Sequence, residues 1–258
     1  GILGALAGHP FDTAKVRLQA MPSMQGASLT GCIARTIREE GFLALYKGVL
    51  SPVGMAGFLN AIVFSVESSS ARLLQNTDLP STAVPFIGGC AGGFVQCPAL
   101  CFMEAAKCNM QVSGQLRAES YMAMFHRRMA ELGLQRALLP GFGITVSREV
   151  PSYGVYFLVY DTVKDTLNNN LPQMFATLVA GGLAGVIALS PFHPLDVVKS
   201  RLQVSSDPKA TGMSILREGI ASEGVWFLSR GFSAFLLRTF SLNAATFIGF
   251  EEMLKRLI

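Results

Sequence analysis

Charge is scarce in this chain. Of its 258 residues, 15% are Asp, Glu, Lys or Arg, against about a quarter in an ordinary soluble domain. Half are hydrophobic and the mean hydropathy is positive, so a soluble fold with a broad charged face fits poorly. Histidine is nearly absent, and His9, His126 and His193 are scattered without the spacing of a metal set. No nucleophile beside a base and no cofactor loop stands out, which makes an enzyme the least favoured class and leaves no cofactor or metal to expect. A basic stripe interleaved with aromatics is also missing, which argues against a nucleic-acid partner, and the net charge of +4 is modest. No cleavable signal or transit pattern is visible, and the first helix reads as cut short at its start.

What is present is long uncharged sequence. No charged residue occurs from Gly48 to Val66, from Leu79 to Met103, or from Thr166 to Leu195. A transmembrane helix needs about 20 apolar residues, so each stretch is a candidate span. Two further candidates are interrupted by charge: Phe142 to about Lys164 contains Arg148 and Glu149, and Gly231 to Lys255 contains Arg238. With the stretch beginning at Gly1, these predict six spans joined in pairs by amphipathic segments such as Thr30–Glu39 and Gly212–Ala221. A soluble helical array is the alternative, although its buried helices seldom lack charge for so long.

The chain also repeats itself. Asp12 and Lys15, Glu104 and Lys107, and Asp196 and Lys199 recur every 92 residues, and Gln19, Gln111 and Gln203 follow the lysines by four. Self-similarity at a fixed period marks units that cannot bury their apolar faces alone. Three units follow, at 1–74, 75–167 and 168–258. Gly41, Gly133 and Gly224 precede Gly48, Gly141 and Gly231 by seven or eight residues; Met55, Arg148 and Arg238 then align, and Phe64, Phe157 and Phe247 after them. Glu40 and Lys47 in unit 1 match Glu223 and Arg230 in unit 3, but unit 2 has Leu132 and Pro140 there.

Small residues open each odd span, which favours close helix approach in lipid. Pro10 and Pro194 lie late in spans that continue to the glutamines, so they are expected to kink the helices rather than end them. Asp12 and Lys15 sit one turn apart, and threefold repetition lets the acid of one helix meet the lysine of the next. A ring of three ion pairs is predicted, with interfacial anchoring as the plainer alternative. Such pairs contribute little net stability at that depth, which suits reversible closure. Cys90, Cys97, Cys101 and Cys108 share one helical face with Glu104; packing between helices is the favoured reading, a thiol-sensitive or metal-binding patch the other.

Pro10-Phe-Asp12-Thr-Ala-Lys15-Val-Arg17 and Pro194-Leu-Asp196-Val-Val-Lys199-Ser-Arg201 resemble the signature of the mitochondrial carrier family, and the likeness covers all three units. The resemblance implies an all-α membrane protein of six transmembrane helices in three pseudo-threefold repeats with short matrix helices. It implies a location in the inner mitochondrial membrane and a cofactor-free, monomeric mode of action on a small-molecule substrate. The ion pairs would form a matrix gate, braced by the glutamines. Tyr46-Lys47-Gly48 and Arg230-Gly231 would bind cardiolipin. A cytoplasmic gate is implied at Tyr160, Asp161 and Lys164 and at Phe250-Glu251, the last facing Leu254 instead of a base. Ser68 and Ala71 lack that motif altogether, so the outer gate is expected to be weak. Repeat 2 departs further, with Phe102 for proline and Asn109 for a basic residue, and Pro98 is placed to kink in its stead.

Ionisable residues in mid-membrane mark function by default. Arg148, Glu149 and Arg238 are expected to face a water-filled cavity, with Met55 at the matching contact point of the family. Arg238 would clasp a carboxylate and Glu149 a cation, with Arg148 placed to pair with either. An internal salt bridge is the alternative for this trio. Asn60, Ser152, Tyr153 and Asn243 stand at the same level, as hydrogen-bonding groups or as packing. Arg148-Glu149-Val-Pro151-Ser152 and Leu236-Leu-Arg238 most resemble the branch for carnitine, acylcarnitine and basic amino acids. Basic amino acids are the expected substrates, then carnitine, with a transport-inactive scaffold as the remaining possibility.

Overall fold

The computed structural model describes residues 2–24, 26–74, 77–80, 82–112, 121–168, 171–205, 207 and 209–242. Asn243, Phe247, Phe250, Glu251 and Leu254 lie outside the described residues. Among those described, the regular structure is helical and no strand occurs.

The first unit holds α1 (Ile2–Ala20), α2 (Leu29–Glu40) and α3 (Leu50–Leu74). The second holds α4 (Ala83–Val112), α5 (Tyr121–Leu132), α6 (Leu134–Leu138) and α7 (Phe142–Asn168). The third holds α8 (Gln173–Leu189), α9 (His193–Val204), α10 (Gly212–Glu223) and a helical run at 232–242. Among the described residues, three stretches are long and apolar enough to cross a membrane: Phe42–Leu74, Ala83–Val112 and Phe175–Val204.

The short helices α2 and α10 start at side-chain caps, Ser28 accepting from the Gly31 amide and Thr211 forming a reciprocal capping box with Ser214. They stop at glycine for a steric reason. Gly41, Gly133 and Gly224 have φ of 87°, 81° and 74°, and Gly48, Gly141 and Gly231 have 79°, 71° and 75°, a region where a Cβ clashes. The aligned glycines therefore form two sets of chain reversals, which turn each short helix back toward the next long one.

Pro10 and Pro98 sit inside unbroken α1 and α4. Repeat 3 differs: a 3-10 turn at Ser190–Phe192 separates α8 from α9, and Pro194 enters the first turn of α9. Two prolines, Pro191 and Pro194, remove two helical donors in four residues there, so the span continues through a tighter turn instead of a bend.

Helix α4 is the central element and its glycines explain why. A Cβ on Gly92 would lie 2.9 Å from the Val63 carbonyl oxygen of α3. On the adjacent face, one on Gly89 would lie 2.4 Å from the Tyr153 oxygen and one on Gly93 2.9 Å from the Glu149 oxygen, both on α7. Small residues thus seat α3 and α7 against α4 at backbone distance.

Candidate functional site

The three acid-lysine motifs meet across the repeats. Lys107 Nζ of α4 bonds Asp12 Oδ2 of α1 at 2.7 Å, Lys199 of α9 pairs with Glu104 of α4, and Lys15 of α1 pairs with Asp196 of α9. Each helix gives its acid to one neighbour and its lysine to the other, so the ring closes. The glutamines do not bond the lysines. Gln19 Nε2 donates to the Arg230 carbonyl at 3.2 Å and its Oε1 accepts from Ser200, while Gln111 Nε2 donates to Thr13 Oγ1 at 3.1 Å. Gln203 is buried with Nε2 unbonded.

The mid-span charges join the ring from above. Arg238 pairs with Asp12 on the oxygen that Lys107 leaves free. Arg148 pairs with Asp196 and with its neighbour Glu149 and reaches Glu104 at 3.6 Å. Glu149, 3% exposed, also stands 3.9 Å from Lys199. Five cations therefore face four carboxylates, and the surplus positive charge suits a ligand carboxylate. All of these groups except Glu149, which lies buried behind Arg148, border a cavity of about 210 Å³, walled on its apolar side by Leu100, Met103, Phe192 and Phe235.

Glycines position the trio. The α4 glycines seat Glu149, and Gly8 of α1 faces Arg238, whose Cγ would lie 3.4 Å from a Cβ there. Met55 packs against Leu59, Leu100 and Met103, and the α3 residue in the cavity wall is Pro52. Asn60 is exposed, Ser152 is buried with its hydroxyl unbonded, and the Tyr153 ring lies 6.3 Å from that of Tyr156. Cys97 and Cys101 are buried at the α4–α7 contact, donating to the Gly93 carbonyl and to Thr145.

At the opposite end, Tyr160 stacks on Tyr156 with ring centres 6.1 Å apart, and Lys164 lies over the Tyr160 ring at 5.3 Å. Neither Lys164 nor Asp161 makes an ion pair among the described residues. Among the described residues, charge closure is concentrated at one end of the bundle.

A second layer lies beyond the ring. Arg17, fully buried, forks onto Glu40 at 2.5 and 2.9 Å and donates through Nε to the Gln111 carbonyl, while Lys47 reaches the same carboxylate at 2.5 Å. Arg201 forks onto Glu223 at 2.9 and 3.0 Å, donates to the Gln19 carbonyl, and shares Glu223 with Arg230. The Arg17 hydrogen bonds hold the Glu40 carboxyl below its ordinary pKa. Lys47 and Arg230 thus point inward onto acids. His9 and His193 are not scattered: they bond the carbonyls of Lys47 and Arg230 at 3.0 and 3.1 Å, at equivalent places in repeats 1 and 3. Their separation of two periods was the signal, together with the unconnected Arg17 and Glu40.

Against known proteins, a family profile described as "Mitochondrial carrier protein" matches three times, at residues 1–78, 79–171 and 172–258. The chain belongs to this family. The carrier is 36% identical to the mitochondrial basic amino acids transporter of Rattus norvegicus, over 96% of its own length and 83% of the relative's. The Homo sapiens protein of that name is also 36% identical, over 96% and 84%. The mitochondrial carnitine/acylcarnitine carrier protein of Macaca fascicularis is 32% identical, over 99% and 90%. The carrier is a transport protein of the mitochondrial inner membrane, with a small molecule as its cargo.

Proposed function

We propose that the carrier moves basic amino acids, namely lysine, arginine and ornithine, by alternating access, without a covalent step. The observation that carries this reading is the shared use of Arg238 and Arg148 by the cavity and by the ring. A substrate carboxylate that takes Arg238 leaves Asp12 held by Lys107 alone. A substrate ammonium that takes Glu149 frees the Arg148 fork from it and loosens Asp196 and Glu104 in turn. Only a ligand with both charges does both, so occupancy is coupled to opening through differential binding. In this reading Asp12, Lys15, Glu104, Lys107, Asp196 and Lys199 are the matrix gate, and Tyr160, Asp161, Lys164 and Glu251 an outer gate of fewer charges. Ser152 and Tyr153 border the cation end.

One chain completes the ring, which supports a monomer built of repeats 1–74, 75–167 and 168–258. Cardiolipin is the lipid partner. Because Lys47 and Arg230 are engaged by Glu40 and Glu223, its phosphates bind chiefly at the helix starts that follow Gly48 and Gly231.

A second reading, carnitine, is favoured by the macaque relative and by a Glu149 that serves a quaternary ammonium equally well. Proteoliposomes loaded with lysine, arginine, ornithine or carnitine separate the two. Lysine and arginine should compete with one another and carnitine should not. Arg238→Ala and Glu149→Gln should each lower uptake by about 100-fold or more, the loss of about 3 kcal/mol of charge-assisted contact. Normal uptake by both variants defeats the assignment, and no uptake of any solute by the wild type turns the carrier into a scaffold.

A further inference from the structure

Repeats 1 and 3 each bury a carboxylate, Glu40 or Glu223, between two cations in the layer below the ring. Repeat 2 has Leu132 in that register and Pro140 in place of the second cation, yet it does not lose its positive charge. The cation moves from the long helix to the short one. Asn109 replaces Arg17 and Arg201, while Arg128 of α5 replaces Thr36, the residue to which Arg17 donates. Arg128 reaches back to Asn109, its Nη1 donating to Oδ1 at 3.0 Å. Asn109 keeps the cross-repeat bond, donating to the Gln203 carbonyl at 3.0 Å as the two arginines do to Gln111 and Gln19.

The exchange leaves a charge without its counterpart. Arg128 is 4% exposed, it bonds a neutral amide, its Nε has no hydrogen-bond partner, and no carboxylate lies within ion-pair distance among the described residues. Burial pushes its pKa below the ordinary value, and the charge of Glu131 on the same helix offsets this only in part. A buried cation is stable when paired and costly when not.

We propose that Arg128, held in place by Asn109, is the binding group in repeat 2 for a phosphate-type oxyanion, which supplies the negative charge that Glu40 and Glu223 give the other repeats. A guanidinium with a free Nε–H edge matches two oxygens of such an anion in a fork, which a compact ammonium does not. The ligand chemistry is common to free inorganic phosphate and to a phospholipid headgroup. The site does not depend on the transported substrate.

Thermal unfolding of the purified full chain in a zwitterionic detergent tests it. Inorganic phosphate is titrated against chloride at equal ionic strength, and cardiolipin against phosphatidylcholine in mixed micelles, for the wild type, Arg128→Gln and Leu132→Glu. The wild type should show a saturable rise in Tm with phosphate or with cardiolipin. Arg128→Gln should lose the rise with phosphate and, with cardiolipin, keep only the part owed to the helix starts that follow Gly48 and Gly231. Leu132→Glu, which puts a carboxylate back in that register, should lose the same part while melting higher than wild type in anion-free buffer. A rise with phosphate that Arg128→Gln lacks identifies a soluble anion, and a difference between wild type and Arg128→Gln with cardiolipin alone identifies a lipid phosphate. If Arg128→Gln does not fold, Leu132→Glu decides alone. No rise in the wild type, or an equal rise in Leu132→Glu, overturns the proposal.

Discussion

Repeats 1 and 3 fasten their lower layer with a carboxylate gripped by two cations, whereas repeat 2 uses an amide and a relocated arginine. Both solutions keep one bond, the donor that reaches the carbonyl of the next repeat's glutamine: Arg17 to Gln111, Asn109 to Gln203, Arg201 to Gln19. The difference shows which part of the layer the fold requires. The link between repeats is kept by any side chain with an N–H of the right reach, while the carboxylate belongs to a local device that repeat 2 does without.

The contrast is broken most severely by removing the carboxylate where it exists. Glu40→Gln should cost about 3–5 kcal/mol, because Arg17 stays buried and unpaired, and chemical denaturation of the reconstituted protein should show it. Repeat 2 has no carboxylate to lose. Next, equivalent glycines should respond unequally: Gly89→Ala, with its 2.4 Å approach to the Tyr153 oxygen, should cost about 1–3 kcal/mol and shift α7. Gly181→Ala, whose nearest contact is the Tyr156 hydroxyl at 3.7 Å, should melt within a degree or so of wild type. Asn109→Ala should cost about 1–3 kcal/mol through the lost bonds to Gln203 and Arg128, less than Glu40→Gln because no ion pair is broken.

The smallest effect is in acid. The folded pKa of Glu40 lies below its ordinary value of 4.5, so its contribution is complete above that value and fades as pH falls through the folded one. Stability measured from pH 5 down to about 3 should fall less steeply in Glu40→Gln than in the wild type. Equal slopes would show that the Arg17 fork does not couple to protonation.

The ion-pair ring was legible because three residue types keep one period of 92, and the chain reversals because glycine is the residue that tolerates their backbone. Other features left weaker marks. The positions of Thr36, Arg128 and Gly219 share no residue type, so alignment alone conceals that Arg128 takes over from an arginine on another helix. The 3-10 turn at Ser190–Phe192 arises from the joint effect of two prolines, which neither announces singly. The glutamines repeat faithfully, yet the bonds of Gln19 and Gln111 run to hydroxyls and carbonyls of adjacent repeats and Gln203 leaves its Nε2 unbonded, because these side chains start a full turn past the lysines. The pairing of Arg148 and Arg238 with gate acids follows from three-dimensional proximity that no spacing encodes.

The donor-to-carbonyl links form a cycle with a direction, each repeat holding the tail of the one ahead. No helix end in such a loop can swing outward by itself, since its displacement drags one partner and is resisted by the other. The blades of a camera iris behave in this way: they open together or stay shut, and a fault in one blade stiffens the whole aperture.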